Sequence, residues 1–216
     1  MITVYVFGNA PRPVWNVTRD LRVLWSLEET GLPYRVHPLD FERGELKRPE
    51  YTRIQPFGQI PAIEDDGFVL FESAAIVLYL AQKSGKLLPP SLSFQGRALA
   101  AQWAFAAVNS VEPALAELFV LDHFAAQDDH AKERRPTLVE HAKERLASLD
   151  AVLGSRSYLL GDEFSAPDIL MSSVLRLVQH TDLLGAAPDV AAYQARCEAR
   201  PAWKKVVAAH HQRLAA

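Results

Sequence analysis

The sequence predicts an α/β domain followed by an all-helical domain. Short β-branched and aromatic runs alternate with helical patterns at first, a proline-containing break follows, and only Ala-rich helical patterns come after it. A chain of 216 residues is long enough for two small domains. We therefore expect an α/β domain at 1–84, a linker at 85–91 and a helical domain at 92–216.

The α/β domain begins with a strand, a helix and a second strand. Ile2–Phe7 is typical of a buried strand, and Tyr34–Leu39 is predicted to be the second strand. Leucines that recur every three residues predict a helix over about Thr18–Thr30, with Thr18 as the N-cap and Gly31 as the stop. A strand–helix–strand unit of this length implies that the two strands are parallel.

A hairpin and a helix complete this domain. The polar stretch Asp40–Phe57 is predicted to be a loop with room for a short helix. Pro61–Glu64 and Phe68–Phe71 flank an Asp-Asp-Gly turn, and an Asp-Gly pair between short apolar runs is a strong hairpin signal. Ser73–Ser84 then has a helical pattern that ends at Gly85.

The second domain is predicted to be helical throughout. Ser165 to Asp168 forms a capping-box variant with Asp168 at N3, which indicates a structural role, and Cys197 is also expected to be structural. Aromatic residues of the first helix are expected to lie mostly in the core, with some lining an apolar substrate pocket between the domains. These aromatics are Trp103, Phe105, Phe119 and Phe124. The helical patterns run through about 92–122, 131–153, 167–181, 188–199 and 202–213.

Composition and charge exclude several functional classes. The chain is 49% hydrophobic and 23% charged, and its formal net charge is −3, with no basic stripe suited to nucleic acid. No basic flank precedes the first strand, and no run approaches the ~18 apolar residues that span a bilayer. The one cysteine cannot form an internal disulfide. We expect a soluble cytoplasmic protein with no metal, no nucleic acid and no membrane as partner.

Two dipeptides in the α/β domain suit a peptide-like ligand. A cis bond between Ile60 and Pro61 would turn the Ile60 backbone outward to pair with an extended peptide, whereas an ordinary trans proline at a strand start is the alternative. Ser73 fits a helix N-cap, and a helix N-terminus also attracts a carboxylate. Glu72 beside it can accept from an ammonium. Together these two side chains match an amino-acid head group.

The motifs occur in an order and spacing that are more specific than any one of them. The segments are Arg22–Tyr34, Gln55–Ala62, Leu70–Ile76, Tyr79-Leu80, Phe164–Ile169 and Arg200–Ala202. In this order the chain resembles the soluble glutathione transferase family, in its bacterial type with an atypical catalytic loop. The resemblance covers essentially the whole chain.

The resemblance implies a thioredoxin-like N-terminal domain, a helical C-terminal domain that contributes the electrophile pocket, a homodimer, and glutathione as cosubstrate. It implies that Ile60, before a cis Pro61, holds the cysteinyl backbone with Gln59 beside the tripeptide, and that Glu72 and Ser73 hold the γ-glutamyl group. The chain has no Cys-x-x-Cys pair, so the reactive thiol must come from outside. The candidates for the glycyl carboxylate are Lys47, Arg48 and Arg53.

Thiol activation is the chemistry that such a protein requires. A free thiol has a pKa near ~8.5 and reacts as the thiolate, so the protein must supply a hydrogen-bond donor. The family's usual Ser, Tyr or Cys donor lies in the loop before the first helix, and the loop here, Gly8–Arg19, contains none of them. The usual serine position falls on Val17 or Thr18. The candidate donors are the Thr18 hydroxyl, the Asn16 amide, Tyr5 on the first strand, and backbone N–H groups alone.

Three functions remain open on the sequence. The leading one is a detoxifying transferase that activates the glutathione thiol for attack on a hydrophobic electrophile, so that an alkyl or aryl group passes to glutathione. The second is a glutathione-dependent disulfide reductase or peroxidase on the same scaffold. The third is a non-catalytic binding or regulatory relative, because the loop lacks the usual donor.

Overall fold

A computed structural model describes residues 1–88, 91–154 and 156–215 of the chain. The described residues divide into two units, one formed by those within 1–92 together with 200–215 and the other by those within 93–199. Part of the predicted linker at 85–91, namely residues 89 and 90, lies outside the described residues.

A four-stranded mixed sheet with strand order β2-β1-β3-β4 forms the centre of the first unit. β1 (Ile2–Phe7) pairs in parallel with β2 (Tyr34–Leu39) and antiparallel with β3 (Ala62–Asp65), and β3 pairs antiparallel with β4 (Phe68–Phe71). The predicted order of elements along the chain, the parallel first pair and the antiparallel hairpin are confirmed. The third strand starts one residue later than predicted, because Pro61 has no N–H to donate to a ladder.

The turn between β3 and β4 has the geometry that an Asp-Gly pair predicts. Asp66 and Gly67 have φ angles of 49° and 87°. Positive φ at both central positions is the mark of a type I′ turn, whose twist matches that of a hairpin. Asp65, at the end of β3, accepts a hydrogen bond from the Tyr79 hydroxyl at 2.7 Å and another from Lys83, which fixes the hairpin to the helix that follows.

Three α-helices accompany the four strands in this α/β part. α1 (Asp20–Thr30) and α3 (Ser73–Ser84) pack against each other, and the short α2 (Pro49–Thr52) lies inside the predicted loop. Gly31 and Gly85 end α1 and α3 in the left-handed conformation, as the sequence predicts.

The start of α1 differs from the prediction by one residue. The N-cap is Arg19 instead of Thr18, and the helix begins at Asp20. Thr18 does not cap the helix because its hydroxyl oxygen lies 3.2 Å from the imidazole of His210. The Thr18 carbonyl still accepts from the N–H of Leu21 at 3.2 Å, so the chain turns before the helix proper.

The last helix, α9 (Pro201–Ala215), packs within the first unit, although the sequence predicts it as part of the helical domain 92–216. Its Trp203 ring packs on Trp25 of α1 with centroids 4.7 Å apart. Arg200 donates to both carboxylate oxygens of Glu29 at 2.6 and 2.7 Å. An amphipathic pattern predicts that one face of such a helix is buried but not which surface it covers.

The described part of the second unit is built from helices. α4 (Phe94–Phe105) continues through a π-helical segment into α5 (Glu112–Phe124), and α6 (Asp129–Leu153), α7 (Ala166–Leu175) and α8 (Pro188–Glu198) follow. The stretch from α4 to α5 is long and apolar enough to cross a membrane by length and composition alone. Core helices of soluble proteins share that property, and 44% of its apolar window is buried here.

The aromatic residues of α4 and α5 are less buried than predicted. Phe119 is in the core and Trp103 is half-buried, but Phe105 and Phe124 are 66% and 54% exposed. Close packing against the neighbouring helices selects small side chains on the inner face and leaves these two large rings outside. The buried small residues of this face are Ala100, Ala104 and Ala107.

The predicted capping segment before α7 is confirmed as a buried polar centre. Asp168 has no exposed surface and accepts from the Leu159 and Ser165 N–H groups and from the Ser165 and Tyr193 hydroxyls, at distances between 2.6 and 2.9 Å. Burial raises the pKa of Asp168, and these hydrogen bonds act in the opposite direction. Cys197 is buried in the same unit, and burial raises the pKa of its thiol.

Replacing Asp168 by alanine should destabilise the protein strongly, because several buried donors would lose their acceptor. We expect the free energy of unfolding, measured by urea titration, to fall by about 3 kcal/mol. The matched control is Asp162→Ala, since Asp162 is an exposed carboxylate nearby in the chain and should change the stability by less than about 0.5 kcal/mol. Equal stability of the two variants would contradict this role.

Candidate functional site

In the described part of the chain, the loop that leads into β3 leaves the backbone N–H and C=O of Ile60 without hydrogen bonds, while the residue before it is held in place. Tyr51 donates through its hydroxyl to the Gln59 carbonyl at 2.5 Å, and Gln55 accepts from the Gln59 N–H at 3.1 Å. The next peptide bond, between Ile60 and Pro61, is cis, as predicted. Within the described ranges, no group pairs with the backbone N–H or C=O of Ile60. That pair is therefore available to an extended ligand.

Gly58 lets this loop approach the segment before α2 closely. Its φ is +61°, and a Cβ atom there would lie 2.6 Å from the Leu46 carbonyl oxygen. Only glycine satisfies both the conformation and the close approach. A hydrogen bond from Lys47 Nζ to the Phe57 carbonyl at 3.2 Å also connects the loop to this segment.

The three cations that were predicted for a glycyl carboxylate differ in their surroundings. The Lys47 ammonium is directed to the loop, and Arg48 pairs with Glu45 at 3.2 Å. Arg53 is exposed, and among the residues that the structure describes its side chain has no hydrogen-bond or ion-pair partner. In the same ranges, no group of three or more His, Cys, Asp or Glu side chains is placed to hold a metal ion.

Glu72 and Ser73 stand at the start of α3. Glu72 is the N-cap, so the predicted cap position of Ser73 is wrong by one residue and Ser73 is the first helical residue. Glu72 has φ +70° and ψ 112°, a conformation that is strained for a residue with a Cβ atom. Its side chain is exposed, whereas Ser73 is buried. The first turn of a helix has unpaired N–H groups and a positive dipole end.

Arg22 connects α1 to this helix start. Its guanidinium is buried, and Nη1 donates to the Ser73 hydroxyl oxygen at 3.2 Å. A buried cation below the N-terminus of α3 adds to the attraction for an anion. From the sequence alone Arg22 is only the first residue of the segment Arg22–Tyr34 and is not a predicted site residue. An arginine among the apolar residues of α1 was the signal that could have identified it.

Thr18, the first candidate donor, lies in a buried polar cluster with α9. Its side chain is only 8% exposed, and Oγ1 lies 3.2 Å from Nε2 of the fully buried His210. Arg213 donates through Nη2 to His210 Nδ1 at 2.6 Å and through Nε to the Phe7 carbonyl at 3.0 Å. We name Thr18, Asp20, His210 and Arg213 the Thr18 cluster.

Asp20 supplies the charge that balances this cluster. Its carboxylate has no exposed surface, and Oδ2 accepts from the Phe7 N–H at 3.1 Å and lies 3.5 Å from Arg213 Nη2. Burial lowers the pKa of His210 from about 6.5 to about 4. Asp20 raises that pKa, whereas the neighbouring Arg213 and His211 lower it. His210 is therefore neutral near pH 7.

The other candidate donors lie in different surroundings. Asn16 is exposed, and its Oδ1 accepts from Nε2 of His211 at 2.7 Å. Tyr5 packs near Tyr51 with ring centroids 5.6 Å apart, and its hydroxyl lies 3.4 Å from Glu64. Burial and then the Glu64 carboxylate raise the pKa of Tyr5. The structure thus brings Asn16 and Thr18 next to successive residues of α9 and separates Tyr5 from them.

The sequence matches two domain families along its length. The family described as glutathione S-transferase, N-terminal domain, matches residues 13–82, and glutathione S-transferase, C-terminal domain, matches residues 104–201. A protein named probable glutathione S-transferase GSTF2, from Oryza sativa subsp. japonica, is 33% identical over 201 residues. The match covers 89% of this chain and 91% of that protein.

Solved structures of the same kind resemble both units. A glutathione transferase family member from Pseudomonas fluorescens pf-5, with two glutathione molecules bound, has a TM-score of 0.82 and 30% identity and covers 95% of this chain and 92% of its own. A glutathione transferase from Pseudomonas putida, with one glutathione disulfide bound per subunit, has a TM-score of 0.82 and 28% identity. It covers 95% of this chain and 90% of its own. The expected thioredoxin-like unit and helical unit are confirmed.

The buried neutral state of His210 predicts a specific loss of stability in acid. Its pKa is lower in the folded protein than in the unfolded chain, so between pH 6.5 and 4 the unfolded chain binds the extra proton and stability falls as the pH falls. From pH 7 to pH 4, the free energy of unfolding should fall by about 3 kcal/mol more in the wild type than in His210→Gln. Parallel stability curves, measured by urea titration at each pH, would contradict a buried neutral His210.

Proposed function

The chain belongs to the glutathione S-transferase family, and on that basis we propose that it binds glutathione in its first unit and activates the thiol as a thiolate. The observation that carries the proposal is the unpaired backbone of Ile60. An extended peptide needs a backbone partner, and its terminal amino acid needs charge partners. The first unit offers charge partners at the start of α3, where Arg22 contacts Ser73.

We propose that glutathione binds as an added strand. The N–H and C=O of Ile60 pair with the cysteinyl backbone, and the exposed Gln59 lies beside the tripeptide. The γ-glutamyl carboxylate meets the Ser73 hydroxyl and the N-terminal N–H groups of α3, with the Arg22 charge below them. The Glu72 carboxylate is exposed and accepts from the γ-glutamyl ammonium.

The thiol donor in this proposal is the Thr18 hydroxyl, with the Asn16 amide or a backbone N–H at the start of α1 as alternatives. Thr18 lies two residues before α1, and Arg22 of the same helix donates to Ser73 at the proposed γ-glutamyl site. The position of α1 therefore sets both the donor and the γ-glutamyl partners in this proposal. A donor at the thiolate lowers the thiol pKa.

The reaction that follows from a bound thiolate is transfer to a hydrophobic electrophile. The sulfur lone pair forms a bond to an electrophilic alkyl or aryl carbon, the bond to the leaving group breaks with its electron pair, and the thiol proton passes to solvent. Binding both reactants supplies proximity, and the donor stabilises the attacking sulfur.

Several further properties belong to the same proposal. In this proposal the loop before α1 is atypical for the family because Gly8–Arg19 contains no serine, cysteine or tyrosine. The bacterial type rests on the likeness to the two Pseudomonas structures, and the Oryza sativa protein is similar to the same degree. We also propose a cytoplasmic homodimer, in keeping with the family and with a chain whose one cysteine is buried.

A disulfide reductase is the second candidate, and the ligands of two similar structures favour it. The Pseudomonas fluorescens protein holds two glutathione molecules, and the Pseudomonas putida protein holds glutathione disulfide. In this reaction the thiolate attacks one sulfur of a mixed disulfide, forms glutathione disulfide and releases the other sulfur as a thiolate. In the peroxidase variant the thiolate attacks the terminal oxygen of a hydroperoxide, the O–O bond breaks and an alcohol leaves, and a second glutathione converts the resulting sulfenic acid to glutathione disulfide and water. A relative that binds glutathione without turnover is the third possibility.

Three assays with purified protein and glutathione separate these functions. The substrates are an activated aromatic halide, a mixed disulfide of glutathione and a small thiol, and an organic hydroperoxide. We expect turnover of the aromatic halide. Turnover of the disulfide alone would support the reductase, and glutathione binding without any turnover would support the binding protein. No binding at millimolar glutathione would contradict all three.

Replacing Glu72 by glutamine should weaken glutathione binding. The charge-assisted hydrogen bond to the γ-glutamyl ammonium becomes a neutral one, so we expect Kd in titration calorimetry to rise about tenfold. The control is Glu163→Gln, because Glu163 is an exposed glutamate of the second unit. An unchanged Kd in Glu72→Gln would contradict the proposed position of the γ-glutamyl group.

A further inference from the structure

The contact between Arg213 and His210 determines which ring nitrogen of His210 carries the proton. Arg213 Nη2 and His210 Nδ1 are 2.6 Å apart. A guanidinium group has only donors, so Nδ1 must accept and cannot itself be protonated. The proton of the neutral ring is therefore on Nε2. The opposite tautomer, or an imidazolium, would have an N–H group at Nδ1 that points at an N–H group of the guanidinium.

The direction of the next hydrogen bond follows from this assignment. His210 Nε2 lies 3.2 Å from Thr18 Oγ1, so the ring N–H, which the Trp15 backbone carbonyl also accepts, donates toward the hydroxyl oxygen and leaves it no acceptor on the ring. The hydroxyl proton of Thr18 is then left for another acceptor, and among the described residues His210 is the only hydrogen-bond partner of Oγ1. Thr18 is only 8% exposed, and a buried donor without an acceptor is costly.

Arg213 is itself held from two sides, so the arrangement does not depend on a mobile side chain. Its Nε donates to the Phe7 carbonyl at 3.0 Å, and Nη2 lies 3.5 Å from the buried carboxylate of Asp20. Asp20 in turn accepts from the Phe7 N–H at 3.1 Å. The groups that face His210 are thus Asp20, Arg213, His211 and the Trp15 backbone. The strand β1 and the helices α1 and α9 all contribute to fixing the ring.

We infer that His210, fixed by Arg213, is a positioning residue that directs the Thr18 hydroxyl proton toward the sulfur of bound glutathione. This inference rests on the proposed function, because it names the sulfur as the missing acceptor. A hydroxyl that already accepts from a ring N–H is also a stronger donor, since hydrogen bonds in a chain polarise one another. His210 therefore lowers the pKa of the bound thiol without touching it.

The test measures the pKa of the glutathione thiol on the full-length protein, from the ultraviolet absorbance of the thiolate as a function of pH. His210→Leu removes both ring contacts and should raise this pKa by about one unit while Kd for glutathione stays within about twofold. His210→Gln keeps an acceptor and a donor at similar spacing and should restore most of the shift. The control on the same helix is Gln212→Leu, because Gln212 is exposed.

A double variant tests whether His210 acts through Thr18. In a Thr18→Val background, His210→Leu should add almost nothing to the thiol pKa, since two residues in one hydrogen-bond chain are not additive. An equal shift in both backgrounds would overturn the inference, as would an unshifted thiol pKa in His210→Leu. In either case the proposed function would stand. A wild-type protein that binds no glutathione would overturn the function and the inference together.

The proton assignment has its own test in the free protein. Nitrogen NMR of the histidine side chains should show His210 as the neutral Nε2–H tautomer near pH 7. The Nδ1–H tautomer or an imidazolium would overturn the inference. If His210→Leu does not fold, this spectrum and Thr18→Val decide the question. Thr18→Val must then raise the thiol pKa by about one unit, and the absence of that shift would overturn the inference.

Discussion

The buried carboxylate of Asp20 is the constraint on which the first unit depends. A carboxylate that is removed from water is costly unless it is paired and hydrogen-bonded. Asp20 meets this condition through one oxygen, Oδ2, which accepts from the N–H of Phe7 at the end of β1 and faces Arg213 from α9, whereas Oδ1 is buried without a hydrogen-bond partner among the described residues. The first strand, the first helix and the last helix therefore meet at one point. Their meeting encloses Thr18 and His210 and gives the start of α1 its chemistry.

Much of the α/β fold could be predicted because its signals are local. The Asp66-Gly67 pair specifies its own turn, and β-branched runs specify strands whose pairing follows from short connections. The place of α9 could not be predicted in this way. Its neighbouring histidines, His210 and His211, look alike in the sequence, yet the first is fully buried and the second is half-buried. Only the rotation of α9 against α1 distinguishes them.

The candidate site also has one part that local sequence signals predict and one part that they do not. The binding half has local signals, since Ile60 precedes a proline and Glu72 and Ser73 begin a helix. The activating half depends on partners through space, because the roles of Thr18 and Arg22 are defined by groups on α9 and α3. A sequence can therefore indicate a peptide-like ligand and leave the thiol donor open. The N-cap expected at Thr18 failed for this reason, because a tertiary hydrogen bond replaced the local one.

A crystal structure of the protein soaked with glutathione would show whether glutathione lies along Ile60 with its sulfur at Thr18. We expect the cysteinyl backbone to pair with the N–H and C=O of Ile60 and the sulfur to lie within about 3.5 Å of Thr18 Oγ1. A sulfur atom that is out of reach of Thr18, or a glutathione molecule that leaves the Ile60 backbone unpaired, would contradict this binding mode.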